Sequence, residues 1–186
     1  MRYRQGFAMF TVNFDKRDLD DLMRGLGNLP GDIKGKAIAR ALKHTTAIAK
    51  TRVIQKSAAS TGMRQKDIRS ITVAVNTGAD TASVIMRSGW IPLYQLGSVR
   101  QTRDGVSVRN WGTHQGTFLA TMASGHAGVF KRSSAARLPV RELWGPNPAA
   151  DVQNHEDEFL DVLESVADEK LHPRLEHEID RLLRSL

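Results

Sequence analysis

The side chains best suited to catalysis or metal binding do not fall at the spacings that such chemistry requires. The chain contains no cysteine, which removes a thiol nucleophile, a Cys-based zinc site and a disulfide framework. Gly31-Asp-Ile-Lys-Gly-Lys36 approaches a phosphate-cradling loop. It is one residue short, lacks Ser or Thr after the lysine and follows no predicted strand. Gly25 and Gly27 lack the third glycine of a dinucleotide fingerprint. His155-Glu156 opens like a zinc-protease helix, yet Phe159 stands where the second histidine is needed. His172 and His177 point about 140° apart on an ideal helix and cannot share a metal there. No serine sits in a Gly-x-Ser-x-Gly elbow, so a hydrolase triad lacks its anchor. The expectation is a protein without catalytic residues, cofactor or metal.

Charge is the stronger signal. The 186 residues carry a formal net charge of +7. Residues 1–146 hold 23 basic and 9 acidic side chains, whereas residues 147–186 hold 4 basic and 11 acidic. A basic body of +14 is thus joined to an acidic segment of −7. Such a split fits an anionic partner, charge-complementary packing between copies, or surface charges that segregate by helix. Lys36, Arg40, Lys43 and Lys50 are expected on one face of a helix, where each could meet a phosphate and add salt dependence. No aromatic interleaves with them and no zinc-finger or RNA-binding signature accompanies them. The absence of a long apolar run and of a signal-like N-terminus predicts a soluble protein of a reducing compartment.

The elements that must position these residues follow from periodicity. Phe10, Val12 and Phe14 alternate as on a strand over residues 7–14, and Leu19, Leu22 and Leu26 suit a short helix. Pro30-Gly31-Asp32 opens a helix over residues 32–57, with Ile38, Leu42, Thr45, Ala49 and Val53 on one stripe and the four basic residues roughly opposite. One or two helical turns follow at residues 63–70. Residues 71–75 and 82–86 then predict a hairpin, residues 98–101 and 105–109 a weaker one, and residues 118–122 and 129–131 a third. Pro139 places the extended segment 137–143 at a sheet edge. After Gly145-Pro146, residues 152–171 read as an acidic amphipathic helix bearing Phe159, Leu163 and Val166. Pro173 is expected to kink or restart it before Leu175, Ile179 and Leu182. The fold class is α+β: a long N-terminal helix on a mostly antiparallel sheet, a body over residues 1–146, and a C-terminal helical extension over 147–186.

Two ordered motifs carry a resemblance. The first is Met122-x-Ser124-Gly125-His126-x-Gly128-Val129-Phe130-x-Arg132. The second is Arg137-Leu138-Pro139-Val140-x-Glu142-Leu143-x-Gly145-Pro146. With the strand, the basic helices and the Gly62-Met63 to Ile68-Arg69 step before them, they resemble the prophage minor tail protein Z family, the tail completion proteins of long-tailed phages. The resemblance spans residues 5–147. It departs at Ser133-Ser-Ala-Ala136, where a glycine- or lysine-rich turn is expected, and at Asn147, where a small hydroxyl residue is expected.

The resemblance implies a structural virion protein, assembled in the bacterial cytoplasm and acting at the head-proximal end of the tail. It implies a homo-oligomeric ring of six copies around the DNA channel, with the tail terminator and neck or head-completion proteins as neighbours. On this reading the motif residues are interface candidates, with Trp144 either an interface anchor or a core residue covering the sheet. His126 reads as a turn residue, and Phe118 and Phe130 as core. Lys36, Arg40, Lys43 and Lys50 would face passing DNA or an acidic partner. The alternative is a non-sequence-specific DNA-binding module that uses the basic helix 32–57.

Overall fold

A computed structural model describes residues 30–76, 81–87 and 89–185. The expected strand at 7–14, the short helix after it and the connection of the first hairpin lie outside the described residues. Helix α1, Gly31–Thr61, follows Pro30 and places Asp32 in its first turn, where a carboxylate suits the helix dipole. It ends at Gly62, whose left-handed φ of 69° lets its N–H close on Ala58 O. Helix α2, Gln65–Ile71, leads into strands β1 (Thr72–Asn76) and β2 (Ala82–Met86), which pair antiparallel. A 3₁₀ turn at Leu93–Gln95 precedes β3 (Val99–Gln101), β4 (Gly105–Val108) and β5 (Gly112–Gln115). Then come β6 (Thr117–Thr121), β7 (Ala127–Arg132) and β8 (Val140–Glu142), and finally helices α3 (Pro148–Asn154) and α4 (Glu156–Leu183).

The molecule is α+β, as expected, with antiparallel strands between long helices. The strands among the described residues form three small sheets of order β1-β2, β3-β4-β5 and β6-β7-β8, rather than one. Strand β5 was not expected. Its burial is slight and its residues, Gly-Thr-His-Gln, show little apolar alternation. Backbone pairing with β4 makes it a strand, not a hydrophobic face.

Among the described residues two apolar clusters hold the fold. The larger joins the C-terminal half of α1 (Ala49, Val53, Ile54) to Phe159, Leu163 and Val166 of α4 and to Val84, Val106, Val108 and Val129 of the three sheets. The smaller joins Ala37, Ile38, Ala41 and Leu42 to Leu171, Leu175 and Ile179, and among the described residues no strand residue enters it. Helices α1 and α4 therefore run antiparallel and share one apolar seam from end to end. The composition break at Gly145-Pro146 does not separate two cores, because Ala149, Val152 and Phe159 beyond it complete the larger cluster.

Of the two effects expected at Pro173, a kink or a restart, the restart does not occur. Helix α4 continues through it without a restart, and the break falls instead at His155, with φ −129° and ψ 41°, between α3 and α4. A helix-interior proline costs about 3 kcal/mol. Leu171 and Leu175 on either side of it are both buried against α1. Burying two leucines offsets a cost of that size. The proline ring is exposed, so water can serve the carbonyl it leaves without a donor.

Candidate functional site

The two sequence motifs meet on the outer face of β6-β7-β8. Met122, Ala123, Ser124 and Gly125 make the turn between β6 and β7. The Gly125 N–H donates to Met122 O at 2.8 Å, and the Met122 N–H donates to His126 O at 2.8 Å. Gly125 sits at φ 83°, a conformation that residues with a Cβ rarely adopt. The turn delivers His126 so that its Nε2 lies 2.9 Å from Glu142 Oε1 on β8. Across the strands Phe118 pairs with Phe130, and Phe130 with Glu142. The Phe118 and Phe130 ring centroids are 6.3 Å apart. The His126 ring stands edge-on to Phe130 at 6.4 Å, and the Arg132 guanidinium lies 5.4 Å from the Phe118 centroid.

Gly128 makes this arrangement possible. A Cβ there would lie 2.8 Å from Glu142 Oε1 and 3.0 Å from the Phe130 ring. Val129, on the opposite face of the same strand, is fully buried in the larger cluster. Phe130 is only 4% exposed, with His126, Phe118 and Glu142 around it. Sequence reasoning placed Phe118 and Phe130 in the core. Phe130 is buried as expected and Phe118 is half-buried; together they form a small aromatic pair outside the two larger clusters, capped by polar side chains.

The second motif ends in a crossing with residues 91–93. The Leu93 N–H donates to Leu143 O at 3.0 Å and the Gly145 N–H to Ile91 O at 2.8 Å, with Pro92 and Trp144 bridged between them. A Cβ on Gly145 would overlap Leu96, which is buried. Trp144 is 49% exposed, and Trp90 and Tyr94, on either side of Pro92, are also exposed. Trp144 is thus a surface aromatic and not a core residue. Pro139 precedes β8, the edge strand of its sheet, and Leu138 is exposed. Pro146 leads to Asn147, which caps α3 by accepting from the Ala149 N–H at 3.1 Å. Asparagine, serine and threonine all cap in this way.

The basic residues divide. Lys36, Arg40 and Lys43 are exposed on the part of α1 beyond the sheets, whereas Lys50 is half-buried. Lys36 pairs with Asp32 at 3.7 Å within its own helix. Arg40 turns to α4, its Nη1 3.7 Å from Glu178 Oε2. Glu178, 1% exposed, also accepts a hydrogen bond from Arg174 Nη2 and lies 3.7 Å from Arg181 Nη1. This carboxylate ringed by three guanidiniums was missed from sequence. Its signal was legible: a glutamate beside Leu175 and Ile179 on an apolar stripe, with arginines four residues before and three after. Farther along, Lys56 of α1 hydrogen-bonds Glu158 of α4, which holds the Glu158 carboxyl below its ordinary pKa.

The apolar face of α4 packs against α1 and the rest of the two clusters, and among the described residues its outer, charged face is left exposed. Among the described residues no group of three or more His, Asp or Glu side chains could hold a metal ion, and no helix is long and apolar enough to cross a membrane. Comparison of the chain with protein-family models, curated proteins and solved structures finds no match.

Proposed function

We propose that this chain is a structural tail completion protein of a long-tailed phage or prophage. It would form a six-copy ring at the head-proximal end of the tail, in contact with the tail terminator and the neck. The observation that carries the reading is the joining of its two motifs into one packed unit. Residues from separate stretches of sequence meet through the His126–Glu142 contact and the clearance at Gly128, and exposed Trp144 stands at the end of that unit. A shaped, rigid surface with a solvent-facing tryptophan suits contact between proteins.

The test is to image tails made with and without the protein and to weigh the isolated protein in solution. Tails lacking it should fail to join filled heads, and Trp144→Ala should remain folded while joining fewer of them. Normal head joining in its absence would overturn the reading. The second reading is a DNA-binding module on α1, favoured by Lys43, which is exposed and has no ion-pair partner among the described residues. Lys43→Glu with Lys50→Glu should then weaken DNA retention and flatten its salt dependence. Unchanged retention removes that reading.

A further inference from the structure

The helix pair α1/α4 is electrically polarised along its length. At its projecting end, residues 31–44 of α1 and 172–185 of α4 together carry seven basic and four acidic side chains, a net +3. At the end packed on the sheets, residues 45–61 and 156–168 carry three basic and six acidic side chains, a net −3. The Arg40–Glu178 and Lys56–Glu158 pairs mark the two ends. They are 16 residues apart on α1, about 24 Å at about 1.5 Å per residue. That exceeds the Debye length of about 8 Å in physiological salt, so the two ends act as separate poles.

Among the described residues, both poles present exposed charged side chains. Asp157, Asp161, Glu164 and Asp168 form an exposed stripe on α4 at helical spacing, and none has an ion-pair partner among the described residues. At the other pole Lys36, Lys43 and Arg184 are exposed, and buried Glu178 holds the guanidiniums of Arg40, Arg174 and Arg181 around it. This pole also projects. Among the described residues its apolar cluster contains helix residues alone, with no strand packed on it.

We propose that copies of this chain associate head to tail, the basic projecting end of α1/α4 in one copy docking on the Asp157–Asp168 stripe of α4 in the next. The occupant of each pole is a second copy because each pole finds its complement on the same chain. A contact between two different surfaces of identical molecules repeats, and it closes into a ring when the rotation between neighbours permits. The inference rests on the proposed ring and names its interface. Sheet residues such as Lys131 and Arg141 are also basic, but they do not belong to the projecting helix end.

Complementary charge reversal tests this in the full chain. The self-association of wild type, Lys36→Glu/Lys43→Glu and Asp161→Lys/Glu164→Lys is measured by sedimentation, with thermal melting as the check on folding. Wild type should associate, and more weakly as salt rises. Each double variant alone should associate about tenfold more weakly. An equal mixture of the two should recover, because each supplies the surface the other has lost. Self-association of either variant at wild-type strength, or a mixture that associates no better than the variants alone, overturns the proposal. So does wild type that stays monomeric at high concentration, or loss of association only on Lys131→Glu/Arg141→Glu. If a reversal variant melts early, Lys36→Gln/Lys43→Gln and Asp161→Asn/Glu164→Asn replace the pair and should each weaken association. Head joining separates the two readings. Wild type and both variants all completing tails sinks this interface alone, whereas wild type that does not complete tails sinks the proposed function and leaves the association result standing.

Discussion

At the scale of single residues, steric clearance decides more than chemistry does. Gly128→Ala should push Glu142 or the Phe130 ring aside and cost about 1–3 kcal/mol, read as a lowered denaturant midpoint, because a Cβ there would lie 2.8 Å from Glu142 Oε1. Unchanged stability would mean that the outer-face cluster yields freely. Glu158 offers a titration test. Its folded pKa is depressed, first by the hydrogen bond from Lys56 and then by the lysine's charge. The pair's contribution to stability is therefore present above the unfolded pKa and is lost as pH falls through the folded one. In an NMR titration the Glu158 carboxyl should ionise below the ordinary glutamate range, and Lys56→Gln should move it back up. Much at this scale was legible in sequence. Gly125 was readable as a turn residue, because two glycines close to a hairpin connection have few other uses. The tie between His126 and Glu142 was not, since pairing across sixteen residues depends on strand register.

At the scale of elements, periodicity located the helices and burial set their limits. Ile38, Leu42, Thr45, Ala49 and Val53 are buried as their spacing predicts. The stripe is wider than a helix facing one neighbour needs, because α1 also buries Ile33, Ala37, Ala41, Thr46 and Ile54. It meets α4 along its whole length and the sheets along half of it. Pro173 shows tertiary packing overriding a local stop signal. Replacing it should therefore help: Pro173→Ala should raise the melting temperature by restoring a backbone hydrogen bond, with a gain of up to about 3 kcal/mol. A fall in melting temperature would mean that the proline ring itself supports α4. Strand β5 is the opposite case. Its residues carry almost no pattern, and pairing with β4 alone makes it a strand.

At the scale of the whole molecule, the acidic C-terminal segment is part of the fold. A chain ending at Gly145 would lose Ala149, Val152, Phe159, Leu163 and Val166 from the larger cluster and uncover the α1 stripe. Such a chain should aggregate or unfold in circular dichroism, so it probes folding and not assembly. A soluble, folded product would show that α1 and the sheets hold together without α4. The sequence by itself determined the α+β class, the long basic helix with its buried stripe, the hairpins, and the change of charge after Gly145-Pro146. All of these are local patterns of period, turn chemistry and composition. Only the tertiary structure decided that the acidic helix lies on the basic helix of its own chain, that Glu178 gathers three arginines, and that opposite charges gather at opposite ends of the helix pair. These follow from which surfaces bury one another, and that depends on side chains more than a hundred residues apart, such as Arg40 and Glu178, whose pairing no local pattern encodes.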